Sequence, residues 1–152
     1  MSKLGRYAAD RKKIEALTAA KTVAVSDCGT IFTLGTAGGF AVTLPNASDC
    51  GKGWWCKFIV KTAPTTAYTV DASSGDGNNV HGFSTYSSGS HSSAAAGARE
   101  ASESDNTSGT AVDRVTFVAN IAMIGDQCEW VTDGTTWYVT ALAEAVNGIT
   151  FD

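Results

Sequence analysis

Side chains able to do chemistry are present in this 152-residue chain, but no spacing gathers them. Asp71, Asp76, Glu129 and Asp133 could supply general acid and base if two of them converged in a pocket, and nothing in their positions pairs them. Ser84, His81 and His91 have nucleophile and base chemistry, yet they lie in a Ser/Gly-rich stretch where such combinations arise by composition. There is no GxSxG, HExxH or P-loop pattern. Cys28, Cys50, Cys56 and Cys128 form no CxxC pair and have no His at ligand spacing, so a zinc site is not expected. The segment Asp76–Asn79 has the start of a calcium loop without its later Glu or its spacing. The expectation is a protein without catalytic residues, metal or cofactor, one that works through contact.

The elements that must present such contacts centre on residues 42–60, VTLPNASDCGKGWWCKFIV. Val42 to Leu44 read as a strand that Pro45, lacking a backbone N–H, should end; Gly51 and Gly53 give permissive backbone before a second strand begins at Trp54. Alternation along that strand puts Trp54, Cys56, Phe58 and Val60 on one face and Trp55, Lys57, Ile59 and Lys61 on the other. The first set is apolar throughout and is taken as the core face of a hairpin. Short strands are also expected at 22–26, 30–34, 40–44 and 66–71, and again at 114–124, 127–133 and 136–142. Asp133-Gly134-Thr135 forms the turn of a closing hairpin across which Trp130 and Trp137 can stack. Ile149 to Phe151 could add an edge strand to the body or to a neighbour. Strands of about five residues separated by turn compositions point to a mainly β fold, an antiparallel sandwich or barrel of jelly-roll or tulip-like form. Residues 72–111, rich in Ser, Gly, Ala and Asn, are expected to be a long loop insertion in this domain of residues 22–152. The cysteines read as reduced core residues of a protein made in the cytosol, with Cys50 and Cys56 the one pair that could face each other across a loop.

Residues 1–21 look like an arm. Residues 7–20, YAADRKKIEALTAA, are good helix formers with Tyr7, Ile14 and Leu17 on a thin apolar stripe, which predicts a short helix that either orders on contact with a partner or packs loosely against the body. The arm holds six basic and two acidic residues, net +4; the other 131 residues hold five and thirteen, net −8, which together give the −4 of the whole chain. A basic arm on an acidic body is suited to attachment to an acidic surface. One aromatic among six basic residues is a poor case for nucleic acid, and no run approaches the length of a membrane span.

The succession GTIFTL, VTLPNASDCGKGWWCKFIV, TAYTVDA and EWVTDGTTWYVTALA resembles small β-rich virion proteins of tailed bacteriophages, the head-decoration and fibre domains. The likeness covers residues 29–71 and 126–142. It implies a symmetric homo-oligomer, expected to be a trimer, on the virus particle with an N-terminal anchor. The function it implies is that of a capsid decoration, or cement, protein. Such a protein is assembled in the host cytoplasm, binds the outer surface of the phage head and stabilises it by bridging subunits of the major capsid protein. The docking arm would comprise Arg6, Tyr7, Arg11, Lys12, Lys13, Ile14 and Leu17. The alternative is a head or tail fibre module that binds the host, with the Tyr, Ser, Gly and Asn of residues 72–111 as its recognition surface.

Overall fold

The computed structural model describes residues 11–73, 75, 79–87, 99–103 and 112–152. Twelve strands run in the order β1 (Lys13–Leu17), β2 (Lys21–Thr22), β3 (Thr30–Leu34), β4 (Ala41–Thr43), β5 (Trp55–Val60), β6 (Tyr68–Asp71), β7 (Val80–Ser87), β8 (Arg99–Glu103), β9 (Arg114–Phe117), β10 (Gln127–Thr132), β11 (Trp137–Ala143) and β12 (Ile149–Phe151). They form a seven-stranded sheet, β1-β3-β5-β10-β11-β7-β8, and a five-stranded sheet, β12-β9-β6-β4-β2. The two pack as a mainly β, sandwich-like fold around one apolar core.

The first half of the chain is a coil. Strands β1, β3 and β5 enter the large sheet and β2, β4 and β6 the small one in strict alternation, each parallel to the strand one turn earlier. Equivalent positions therefore stack: Leu17, Leu34 and Val60 are in register, and Phe32 lies on Phe58 with ring centroids 5.2 Å apart. Each turn buries its apolar side chains against the next, as in a short solenoid. The second half locks this coil. The β10–β11 hairpin pairs antiparallel with β5, and β9 pairs antiparallel with β6. Strand β7 then adds parallel to β11.

Several expectations hold. Trp54, Cys56, Phe58 and Val60 are buried, while Trp55, Lys57 and Ile59 are only half-buried, so the core face of β5 is the one its alternation indicates. Trp130 and Trp137 meet edge to face at 6.0 Å in the closing hairpin, and Trp54 meets Trp137 at 5.6 Å. The C-terminal strand β12 adds to the body, on β9.

Other expectations are corrected. Residues 42–60 are not a hairpin: β4 lies in the small sheet and β5 in the large one, so the connection is an arch over the end of the core. Pro45 does follow the end of β4, and a single helical turn, α1 (Ala47–Cys50), then drops Ala47 into the core. The sheets are mixed; five of the ten described strand pairings are parallel, four because strands that alternate between sheets return in the same direction and the fifth where β7 joins β11. The helix expected over 7–20 is absent from its described part: Lys13–Leu17 is strand β1, and residues 7–10 lie outside the described residues. The register with β3 outweighs the helix propensity of KIEAL by burying Leu17 and supplying a ladder of backbone hydrogen bonds. The expected loop at 72–111 contains β7 and β8; apart from residues 72, 73, 75 and 79, the rest of it, with His91, Asp76 and part of the Asp76–Asn79 segment, lies outside the described residues. None of the four cysteines is in a disulfide; Cys56 and Cys128 are core residues, but Cys28 is exposed and Cys50 half-buried.

Replacing Phe58 by Ala removes a fully buried ring from the coil and should cost about 3–5 kcal/mol in chemical denaturation. Lys57→Ala, one residue away on the opposite face, should cost under about 0.5 kcal/mol by the same measurement.

Candidate functional site

Two surfaces gather the residues able to make contacts. The first is the N-terminal end of the coil, where β1 and β2 are the free edges of the large and small sheets. Arg11 and Lys12 are exposed immediately before β1. Lys13 bonds Asp27 at 3.1 Å, and Lys21 bonds Glu15 at 2.7 Å with Asp27 at 3.7 Å. The ammonium of Lys21 also sits 5.5 Å from the Phe32 ring, so this side chain covers the open end of the core and ties β2 to β1. Its pKa is raised, chiefly by the hydrogen bond to Glu15, against partial desolvation and with help from Asp27. For Asp27, burial pushes the carboxyl up. The Ala24 N–H, the Lys13 bond and the Lys21 charge outweigh it, and the net shift is downward.

The predicted arm is therefore divided. Arg11 and Lys12 precede the body, Ile14 is on β1 with its side chain 66% exposed, and Lys13 belongs to the ion cluster. Leu17 is a core residue of the coil. Arg6 and Tyr7 lie outside the described residues.

The second surface is the outer face of the large sheet. Cross-strand register aligns Trp55, Val131, Tyr138 and His81 in one row, and Lys57, Glu129, Thr140 and Phe83 in the next. Tyr138, Phe83 and Leu142 are each about half exposed, at 49%, 46% and 49%. Two shallow depressions lie here, one of about 200 Å³ among Lys57, Gln127, Glu129, Thr140 and Leu142, and one of about 300 Å³ among His81, Gly82, Phe83, Tyr138, Val139 and Thr140. The Tyr138 hydroxyl donates to Asp133 at 3.0 Å. Asp133 also accepts from the N–H groups of Thr136 and Thr135 and from the Thr135 hydroxyl, which together hold its carboxyl far below the usual range. That carboxylate fixes the turn and, through it, the position of Tyr138.

The carboxylates singled out in the sequence are dispersed. Asp71 pairs with Arg114 on the small sheet, Asp133 is in the β10–β11 turn, and Glu129 faces outward from β10. Ser84 points into the core from β7 while His81 is exposed on the outer face, so they do not meet as nucleophile and base. Among the described residues no group of three His, Cys, Asp or Glu side chains is placed to hold a metal ion. Burial pushes the Cys128 thiol up to about 12 and raises Cys56 as well, so both stay protonated packing groups.

Asp126 has no counterpart in the sequence reading. It is 3% exposed and accepts the N–H of Met123 at 2.9 Å and of Glu144 at 2.8 Å, clamping the turn before β10 to the end of β11. Burial raises its pKa against those two bonds. A lone Asp in a turn composition carries no signal that separates such a clamp from a solvated loop residue.

The fold and these surfaces define a two-sheet β-sandwich with an N-terminal coil and two contact faces. Comparison with protein-family models, curated proteins and solved structures gives no match for this chain.

The coil end carries a pH dependence. A depressed carboxyl contributes stability that is fully present above its unfolded value of 3.8 and is lost as pH falls through the folded value. Asp27→Asn should therefore melt below the wild-type protein at pH 7. The gap should narrow as the pH drops below 3.8, followed by thermal denaturation of both proteins across that range.

Proposed function

We propose that this chain is a structural protein of a tailed-phage particle: a capsid decoration protein that binds the outside of the head and bridges subunits of the major capsid protein. The observation that carries the proposal is the position of the basic residues. Arg11 and Lys12 lead directly into β1, at the free edge of the large sheet, while residues 22–152 carry the negative charge of the chain. A basic segment leaving an acidic sandwich at one edge can lie along an acidic rim while the body stands clear of it. Repetition of that contact around a symmetric homo-oligomer, a trimer in this reading, converts weak docking into lasting attachment. The likeness of residues 29–71 and 126–142 to phage head-decoration and fibre domains supports the same assignment. Docking of this kind uses neither catalysis nor a cofactor.

The fibre reading is favoured by one observation, the exposed Tyr138 and Phe83 on the outer face, since rigid aromatic side chains suit recognition of a host surface.

Deletion of residues 1–12, which stops short of β1, should leave a folded sandwich by circular dichroism that no longer sediments with capsids. Attachment at the wild-type level would refute the arm. Reversing Arg11 and Lys12 to Glu should weaken attachment, with a larger loss at low than at high ionic strength because exposed pairs are screened by salt.

A further inference from the structure

We infer that the outer face of the seven-stranded sheet around Tyr138, Phe83 and His81 is a binding site for a neutral carbohydrate. The inference does not depend on the capsid reading. Tyr138 lies opposite His81 and Phe83 opposite Thr140 on the parallel strands β11 and β7, so the two aromatic side chains are diagonal neighbours on one face. Both are about half exposed, and the depression of about 300 Å³ lies between them. Its floor is the backbone of Gly82 and Val139: a Cβ at Gly82 would overlap the Val139 carbonyl oxygen, so close approach of the two strands requires glycine there.

Three features select the ligand. Aromatic rings offer an apolar surface with a negative face, which suits the weakly positive C–H face of a sugar ring. The hydroxyls of the same sugar need acceptors and donors at the rim; Thr140 and His81 line the depression with the rings, Asp133 holds the Tyr138 hydroxyl, and Glu129 lies across from Thr140 in the adjoining depression. The bond from Tyr138 to Asp133 positions one ring before any ligand arrives, which lowers the ordering cost of binding.

Charge excludes the other classes. Of the described residues that line the two depressions, Lys57 is the one lysine or arginine, and it faces Glu129 across the β5–β10 ladder; with the whole chain at −4, an anionic ligand or nucleic acid is repelled. A second copy seated dry on this face would bury Lys57 and Glu129 at its centre, where charged residues are depleted in stable interfaces.

The test titrates the full-length protein with neutral oligosaccharides of glucose, mannose, galactose and N-acetylglucosamine at millimolar concentration, read by amide chemical shifts. The expected result is saturable binding of at least one of them, with shifts centred on residues 81–84 and 137–140. Tyr138→Ala and Phe83→Ala should each weaken it about tenfold or more, while Tyr138→Phe, which keeps the ring, should stay within a few-fold. Absence of binding by every sugar, or binding that survives both Ala variants, overturns the inference. So does a dimer in sedimentation analysis that Tyr138→Ala converts to monomer, which assigns the face to a second copy. Because the arm deletion reads capsid attachment and this titration reads sugar binding, each proposal fails separately.

Discussion

Burial of Trp137 between Trp54 and Trp130 is the contact on which the two halves of the molecule depend. Trp54 sits at the head of β5, the last turn of the N-terminal coil in the large sheet; Trp130 and Trp137 belong to the hairpin that closes over it. The Trp54 indole N–H donates to the Val25 carbonyl at 2.7 Å, which carries the same contact back to the turn between β2 and β3. Edge-to-face pairs of this kind add about 0.5–1.5 kcal/mol each beyond the area they bury. More important is what they fix. With the hairpin seated on β5, β11 offers its other edge to β7, and the outer face acquires Tyr138 beside His81 and Phe83.

The coil itself explains why the exposed side chains able to make contacts gather at one end and on one face. Strands that alternate between sheets fill the interior with stacked apolar side chains. At the N-terminal end β1 places Glu15, not an apolar side chain, in register with Phe32, and Lys21, held by Glu15 and Asp27, lies over the Phe32 ring. A charged cap on a sheet end also discourages indiscriminate strand addition.

Much of this architecture was legible in the sequence where alternation was strong. WWCKFIV, TIFTL and the DGT turn gave β5, β3 and the closing hairpin, with the core face of β5 correctly assigned. Three features were hidden for physical reasons. KIEAL has a helical composition, and only its register with TIFTL, a contact seventeen residues away, makes it a strand. The arch between β4 and β5 looks locally like a long hairpin loop, because Pro and Gly end strands without saying which sheet comes next. VHGFSTYS buries Val80 but places Gly82 and Ser84 inward and Phe83 outward, against the usual pattern, so its alternation alone does not assign a core face and its pairing with β11 does. The outer face was visible as the second face of β5, yet the partners that complete it arrive from β7, β10 and β11.

The measurement that tests the central proposal most directly is imaging of the assembled particles, with the copies of this chain located and counted. The decoration reading predicts many copies at symmetry-related junctions between capsid subunits, with density for the segment before Lys13 running along the capsid surface. A few copies at one vertex or on the tail, with the heads bare, would contradict it.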